Sequence, residues 1–116
     1  MTWGLSFMLS LAVLLTPPIM QGDATYYAEP YIGRIMQNGE TYTGQDATCA
    51  VAVERWPELR GKTLVVCTDW RCIPVTVTDT GGGLGRDDVD LSEAAFRALF
   101  GKLGVGRGRV RVWVAE

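Results

Sequence analysis

Histidine is absent from this chain of 116 residues, and cysteine is scarce. Without histidine, a cysteine nucleophile would have no imidazole base beside it. The cysteines are Cys49, Cys67 and Cys72, and three thiolates leave a tetrahedral structural zinc site one ligand short. We therefore expect no bound metal and no other cofactor.

Neither sign of charge dominates the sequence. It has 11 basic and 13 acidic residues, which gives a formal net charge of −2. A domain that binds nucleic acid normally carries a basic stripe, and this sequence has none. A basic amphipathic segment of the kind that binds membrane surfaces is also missing. We expect neither nucleic acid nor a membrane surface among the partners, and we expect a monomer.

Charged side chains are also missing from the first 22 residues. Trp3–Leu15 is almost entirely apolar, and Thr16–Pro18 ends the run. This length fits the apolar region of a secretory signal and is short for a membrane span. However, no basic residue begins the segment, and the sequence around Gly22 matches a cleavage site poorly. We predict a signal peptide or N-terminal anchor over 1–22, with a buried element of the fold as the third alternative, and a secreted or extracytoplasmic domain over 23–116.

Short runs of β-branched and alternating residues recur along the rest of the chain. Glycine and proline separate them, which is typical of a small β-barrel or sandwich. The last run alternates valine with arginine, so its valines should face inward. Strands are predicted over Ala24–Ala28, Ala47–Val53, Thr63–Cys67, Cys72–Thr78 and Gly108–Val114.

One helix is predicted near the end of the chain. Apolar residues recur at helical spacing from Leu91 to Phe100. Ser92 is a good N-cap, and Gly101 is a natural residue to follow the last turn. By contrast, proline and glycine in Trp56–Lys62 predict a turn.

Cys67 and Cys72 flank a four-residue loop between two predicted strands. If they lie opposite each other across a hairpin, their Cβ atoms come within bridging range. The pair Cys67–Cys72 is therefore the disulfide candidate, although three pairings of the cysteines exist on paper. An exported domain would meet the oxidising conditions that the bond needs.

Two aspartates stand at the ends of predicted elements in the most informative stretch, Val75–Ser92. Asp79 ends an alternating run before the glycine-rich segment Gly81–Gly85, and Asp90 precedes the predicted helix. A carboxylic acid with a raised pKa supplies the proton that a glycosidic leaving group needs. Structural alternatives exist, because Asp79 can bond within its own turn and Asp90 can favour the helix dipole.

Five short motifs, in order, resemble those of the RlpA-like family, small barrels related to expansins and to bacterial lytic transglycosylases. They are the opening strand Ala24–Tyr27, the Gly-Glu-x-Tyr segment Gly39–Tyr42, the bend Leu59–Leu64, the turn Val77–Gly81 and the helix entrance Val89–Ser92. The resemblance implies a mostly β fold. We expect a small six-stranded double-psi β-barrel with one short α-helix, preceded by the N-terminal apolar leader.

The resemblance also implies an exported, cell-wall-associated protein that acts on peptidoglycan glycan strands as a lytic transglycosylase. Such enzymes use the sugar's own 6-hydroxyl as the nucleophile, so one acid that later acts as a base can suffice. Asp79 and Asp90 are the catalytic candidates, and Glu40, Tyr42, Trp70 and Tyr27 are the substrate-binding candidates. The alternatives are that Glu40 is a solvated turn residue and that the tyrosines are core residues.

The sequence departs from the family pattern in three respects, one of which is that its cysteines are extra relative to the bacterial members. Many members have a histidine where this chain has Thr48–Val51, and the proline that often follows the Asp-x-Gly turn is replaced by Gly81–Gly83. The missing histidine favours a non-catalytic expansin-like or glycan-binding module on the same barrel. A third hypothesis is a structural or inhibitory partner protein, because a fold alone does not fix function.

Overall fold

The structure, a computed structural model, describes residues 16–115. Within them the chain forms six strands and two short α-helices. The strands are β1 (Met20–Tyr26), β2 (Thr48–Ala52), β3 (Thr63–Cys67), β4 (Cys72–Gly81), β5 (Val89–Leu91) and β6 (Gly108–Val114). The helices are α1 (Trp56–Leu59) and α2 (Glu93–Phe100), and single 3-10 turns cover Glu29–Tyr31, Val53–Arg55 and Leu103–Val105.

The six strands close into a barrel in the order β1-β5-β2-β4-β3-β6, and β6 pairs with β1. The pairs β1–β5 and β2–β4 are parallel, and the other four pairs are antiparallel. Because parallel neighbours cannot be joined by a tight hairpin, the chain crosses the barrel between them. The predicted fold class, a mostly β, six-stranded double-psi barrel, is confirmed.

Side-chain alternation fills the barrel with apolar residues. In β6, Val110 and Val112 are buried while Arg109 and Arg111 are exposed, as predicted. Helix α2 closes part of the core with Phe96, which has no exposed surface. The other members of the main core are Met20, Ala24, Cys49, Val51, Leu59, Leu64, Val66, Val75, Val77, Val89, Leu91, Ala95 and Leu99.

The predicted limits of the helix are confirmed at the caps. The Ser92 hydroxyl accepts a hydrogen bond from the Ala95 N–H (3.2 Å), and Gly101 follows the last turn with a φ of 87°. The helical spacing placed Leu91 with the helix, and this prediction is wrong because Leu91 belongs to β5. That short strand pairs with β1 on one side and β2 on the other, and these two ladders outweigh the spacing. The predicted turn Trp56–Lys62 begins with the single helical turn α1.

The hairpin of β3 and β4 carries the predicted disulfide. Cys67 lies directly opposite Cys72 in the antiparallel ladder, and the two residues are bonded. Cys49 is a free cysteine in the core. Burial raises the pKa of its thiol, so it stays protonated and unreactive.

Strand β1 begins at Met20, so the barrel includes the end of the stretch 1–22. The Met20 side chain is 2% exposed. The backbone of Ile19 donates to the Val112 carbonyl (2.8 Å) and accepts from Arg55 Nη2 (3.1 Å). The rest of the predicted leader, residues 1–15, lies outside the described residues, and its processing stays a prediction. Over 16–115, no helix has the length and apolar character needed to cross a membrane.

Met20→Ala tests whether this segment belongs to the folded domain. We expect a loss of about 2–5 kcal/mol in the free energy of unfolding, because the substitution leaves a cavity in the core. Gln21→Ala, on the exposed face of the same strand, is the matched control and should change stability by less than about 0.5 kcal/mol. Equal, small effects in urea denaturation would show that the barrel does not depend on Met20.

Candidate functional site

Strand β2 places the two predicted acids on either side of one small residue. Ala50 pairs with Asp79 of β4 through the parallel ladder and with Asp90 of β5 through the antiparallel ladder. Residues in register on neighbouring strands point to the same face of a sheet. Neighbouring strands lie about 4.8 Å apart, so the Cα atoms of the two acids are separated by roughly 10 Å.

A bulge in β4 turns Asp79 to this outer face. Cys49 pairs with Val77, but the next residue, Ala50, pairs with Asp79, so Thr78 has no opposite residue. Without the bulge, strict alternation would place Asp79 on the same side as Val77, which lies in the barrel core. The Thr78 hydroxyl instead contacts Met36 Sδ (3.2 Å) outside the barrel.

The Asp79 carboxylate is held by three donors. The Tyr27 hydroxyl donates to Oδ2 (2.7 Å), and the N–H groups of Gln37 and Thr80 donate to Oδ1 (2.9 and 2.8 Å). Burial raises the pKa of Tyr27, and the negative charge of Asp79 raises it further. Tyr27 is therefore a permanent hydrogen-bond donor that fixes the orientation of Asp79.

Asp90 is partly buried and accepts a hydrogen bond from one side-chain donor. The Thr25 hydroxyl donates to Asp90 Oδ1 (2.8 Å) from the neighbouring strand β1. Burial raises the pKa of Asp90, and the negative charge of Asp79 adds to the rise, while the hydrogen bond from Thr25 opposes it. Asp90 therefore retains its proton to a higher pH than an exposed aspartate does, which is a property required of a general acid.

Both carboxylates line one open cleft of about 440 Å³. Aromatic side chains form one wall: the rings of Tyr27 and Tyr42 lie 4.7 Å apart, and Tyr31 meets Tyr27 edge-on at 5.9 Å. The Arg34 guanidinium lies 5.4 Å from the centre of the Tyr31 ring, at the same cleft. The remaining lining residues are Ile35, Met36, Thr80, Gly81, Gly82, Gly83 and Leu84.

The structure brings together four of the six predicted site residues. Asp79, Asp90, Tyr27 and Tyr42 line the cleft. The two tyrosines are also largely buried, at 8% and 2% exposure, so they serve the packing as well as the wall. The Tyr42 hydroxyl accepts a hydrogen bond from the Glu93 N–H (3.1 Å), which fixes the ring.

The other two predicted residues lie elsewhere. Glu40 accepts a hydrogen bond from the Asn38 side chain (2.7 Å) in its own turn and lines a different cavity. Trp70 is 93% exposed at the tip of the β3–β4 hairpin, beside a third cavity. The positions of Glu40 and Trp70 in the sequence did not indicate that they would lie away from Asp79 in the fold.

Thr25, which supports Asp90 from outside the cleft lining, and Arg34, which lines the cleft, were not predicted as site residues. Thr25 lies opposite Asp90 in the ladder between β1 and β5, and the Arg34 guanidinium lies over the Tyr31 ring. A strand threonine and a loop arginine are ordinary in sequence, so only the folded structure reveals their place at the site. Across 16–115, no group of three or more cysteine and acidic side chains is arranged to hold a metal ion.

Comparison with known proteins supports the fold. No family model and no curated protein sequence matches the chain. Among solved structures it is similar to a Streptomyces papain inhibitor, with 25% identity, a TM-score of 0.72, and coverage of 86% of this chain and 98% of that one.

The chain is also similar to an expansin from Clavibacter michiganensis. The apo form gives 24% identity and a TM-score of 0.70, and a mutant in complex with cellohexaose gives 24% and 0.69. Each alignment covers 84% of this chain and 50% of the expansin chain, so this chain spans about half the length of the expansin. At this level of identity the expansin similarity establishes the fold.

Asp90→Asn tests the dry environment of this acid through its effect on stability. The pKa of Asp90 is higher in the folded state than its ordinary value of 3.8. Such an acid makes its full contribution to stability below pH 3.8, and that contribution is lost as the pH rises through the pKa of the folded state. The variant cannot ionise and keeps an oxygen to accept from Thr25. We expect it to be more stable than the wild type at pH 7, with the difference vanishing near pH 3.

Asp69→Asn is the matched control, because the Asp69 side chain is 82% exposed. Thermal unfolding from pH 3 to 7 should show no comparable gain for this variant. A pH-independent difference between Asp90→Asn and the wild type would contradict the assigned environment.

Proposed function

We propose that this protein is an extracytoplasmic barrel module of the RlpA-like kind that binds glycan strands of the cell wall in the Asp79–Asp90 cleft. The observation that carries the proposal is the placement of two carboxylates on one open face, beside an aromatic wall. Carboxylates accept hydrogen bonds from sugar hydroxyls, and the exposed ring of Tyr31 can pack against the apolar face of a pyranose. The expansin complex with cellohexaose supports a polysaccharide ligand for such a barrel.

The finer proposal is that the glycan is peptidoglycan and that the cleft cleaves it as a lytic transglycosylase. Asp90 would protonate the glycosidic oxygen as the C1–O bond breaks. The 6-hydroxyl of the same sugar would then attack C1 and return its proton to Asp90. The product is a 1,6-anhydro sugar, and no water is consumed. Asp79, held by Tyr27, would bind a substrate hydroxyl and stabilise positive charge at C1.

The apolar leader predicted over 1–22 and the disulfide support a location outside the cytoplasm. An uncharged apolar segment precedes the barrel, and the Cys67–Cys72 bond requires an oxidising compartment. We propose a secreted, cell-wall-associated monomer.

A second candidate function is inhibition of a cysteine protease. It is favoured by the Streptomyces papain inhibitor, whose chain is covered almost entirely by this one. In that case the barrel would act as a partner protein, and the acids of the cleft would not be required.

Asp79→Asn and Asp90→Asn test glycan binding. Losing a charged acceptor costs about 1.5–3 kcal/mol, so we expect about ten-fold or greater loss of affinity for purified peptidoglycan in a sedimentation assay. Glu54→Gln, which removes one negative charge from an exposed turn away from the cleft and the β3–β4 hairpin, should bind like the wild type. Binding that is unchanged in both cleft variants would contradict the proposed site.

Mass analysis of the soluble products distinguishes cleavage from binding. A lytic transglycosylase releases anhydro-muropeptides that disappear in Asp90→Asn, whereas a binding module releases none from the wild type. Papain activity measured with the same preparations tests the second candidate. If the wild type and both cleft variants inhibit papain and none of them binds peptidoglycan, the protein is a protease inhibitor and the glycan proposal is wrong.

A further inference from the structure

The hairpin tip of β3 and β4 presents an aromatic side chain that the cleft does not use. Trp70 is 93% exposed, the highest value among the exposed large apolar residues described for 16–115. An indole so completely hydrated gains nothing for folding, and aromatic residues in such positions are typical of binding surfaces.

The backbone of the tip that carries Trp70 is held in place. The Cys67–Cys72 disulfide closes the loop at its base. Within the loop, the Thr68 hydroxyl accepts hydrogen bonds from the N–H groups of Trp70 (3.1 Å) and Arg71 (3.2 Å). Arg71 Nη1 also donates to the Ala98 carbonyl (2.8 Å), which ties the loop to the end of α2. A preorganised surface loses less entropy when it binds a ligand.

Beside Trp70 lies a concave surface of about 600 Å³, separate from the acidic cleft in every lining residue. Its charged lining consists of Arg71, Arg109, Arg111 and Asp69, a formal charge of +2 in a chain whose net charge is −2. Leu99 and Phe100 contribute apolar side chains to the lining. We call this surface the Trp70 cavity.

The arginines of the Trp70 cavity are not fully neutralised. Arg111 pairs with Asp69 (3.0 Å), but the Asp69 side chain is 82% exposed. Arg109 shares the single carboxylate of Asp23 with Arg107, at 3.4 and 2.9 Å, and its side chain is 76% exposed. The carbonyl end of α2 would repel an anion, but Arg71 covers it at Ala98.

We infer that the Trp70 cavity is a second binding site, which takes a carboxylated polysaccharide by stacking a sugar ring on Trp70 and pairing its acid groups with Arg109 and Arg111. Guanidinium groups bind carboxylates through paired hydrogen bonds, and an indole face packs on a pyranose ring. A peptide made only of acidic residues would satisfy the arginines but would leave the indole without a ring to stack on. The inference does not depend on the function of the acidic cleft.

Hexagalacturonate is the probe, and binding to the full-length protein is measured by calorimetry and by tryptophan fluorescence. We expect binding that weakens as salt rises from about 0.05 to 0.5 M, because exposed ion pairs are screened. Trp70→Ala should lower the affinity about ten-fold and abolish the fluorescence change, and Arg109→Gln should lower it about two- to five-fold. Asp79→Asn and Asp90→Asn should bind like the wild type.

Arg60→Gln is the matched charge control, since Arg60 is exposed and lines a different cavity. Cellohexaose supplies a neutral chain of equal length, and hexaglutamate supplies the charge without sugar rings. Absence of hexagalacturonate binding would overturn the inference. It would also be overturned if cellohexaose or hexaglutamate bound as tightly with the same sensitivity to Trp70→Ala, or if Arg60→Gln weakened binding as much as Arg109→Gln.

Discussion

The position of β2 between β4 and β5 is the constraint on which the rest of this structure depends. One residue, Ala50, is in register with both Asp79 and Asp90, and the bulge at Thr78 gives Asp79 the same outward direction as Asp90. Two acids separated by eleven positions in the sequence therefore share a surface without any flexible loop to position them. Sites built on strands hold their geometry better than sites built on loops.

This arrangement makes the two acids chemically different. Asp79 accepts hydrogen bonds from Tyr27, Gln37 and Thr80, whereas Asp90 accepts one from Thr25, and partial burial raises the pKa of Asp90. Pairs of titratable groups in contrasting environments are the usual basis for dividing acid and acceptor roles between them. Although the chain lacks histidine, Asp90 is thus a candidate proton donor. The acidic cleft shares no lining residue with the surface near Trp70 that carries the arginines.

The sequence predicted those features that depend on local patterns. Strands Thr63–Cys67 and Gly108–Val114, the Cys67–Cys72 pairing and the caps at Ser92 and Gly101 all follow from alternation, register or cap chemistry. Strand β5 was missed because three residues are too few to show a period, and the helical spacing that follows extends into it.

The features that could not be predicted depend on packing between distant segments. The Thr78 bulge is visible only once β2 and β4 are paired, and without it Asp79 would face the core. The Thr25–Asp90 hydrogen bond joins residues on different strands. Glu40 and Trp70 were assigned to the same groove as the acids because sequence order gives no measure of where a hairpin tip lies on a closed barrel.

The carboxyl ¹³C chemical shift of Asp90, followed by NMR as the pH is varied, tests the central claim most directly. If Asp79 and Asp90 share one partly dry cleft, Asp90 titrates above its ordinary pKa of 3.8, and Asp79→Asn lowers that pKa by removing the neighbouring charge. An ordinary pKa for Asp90 in the wild type, or one that does not respond to Asp79→Asn, would contradict the shared cleft.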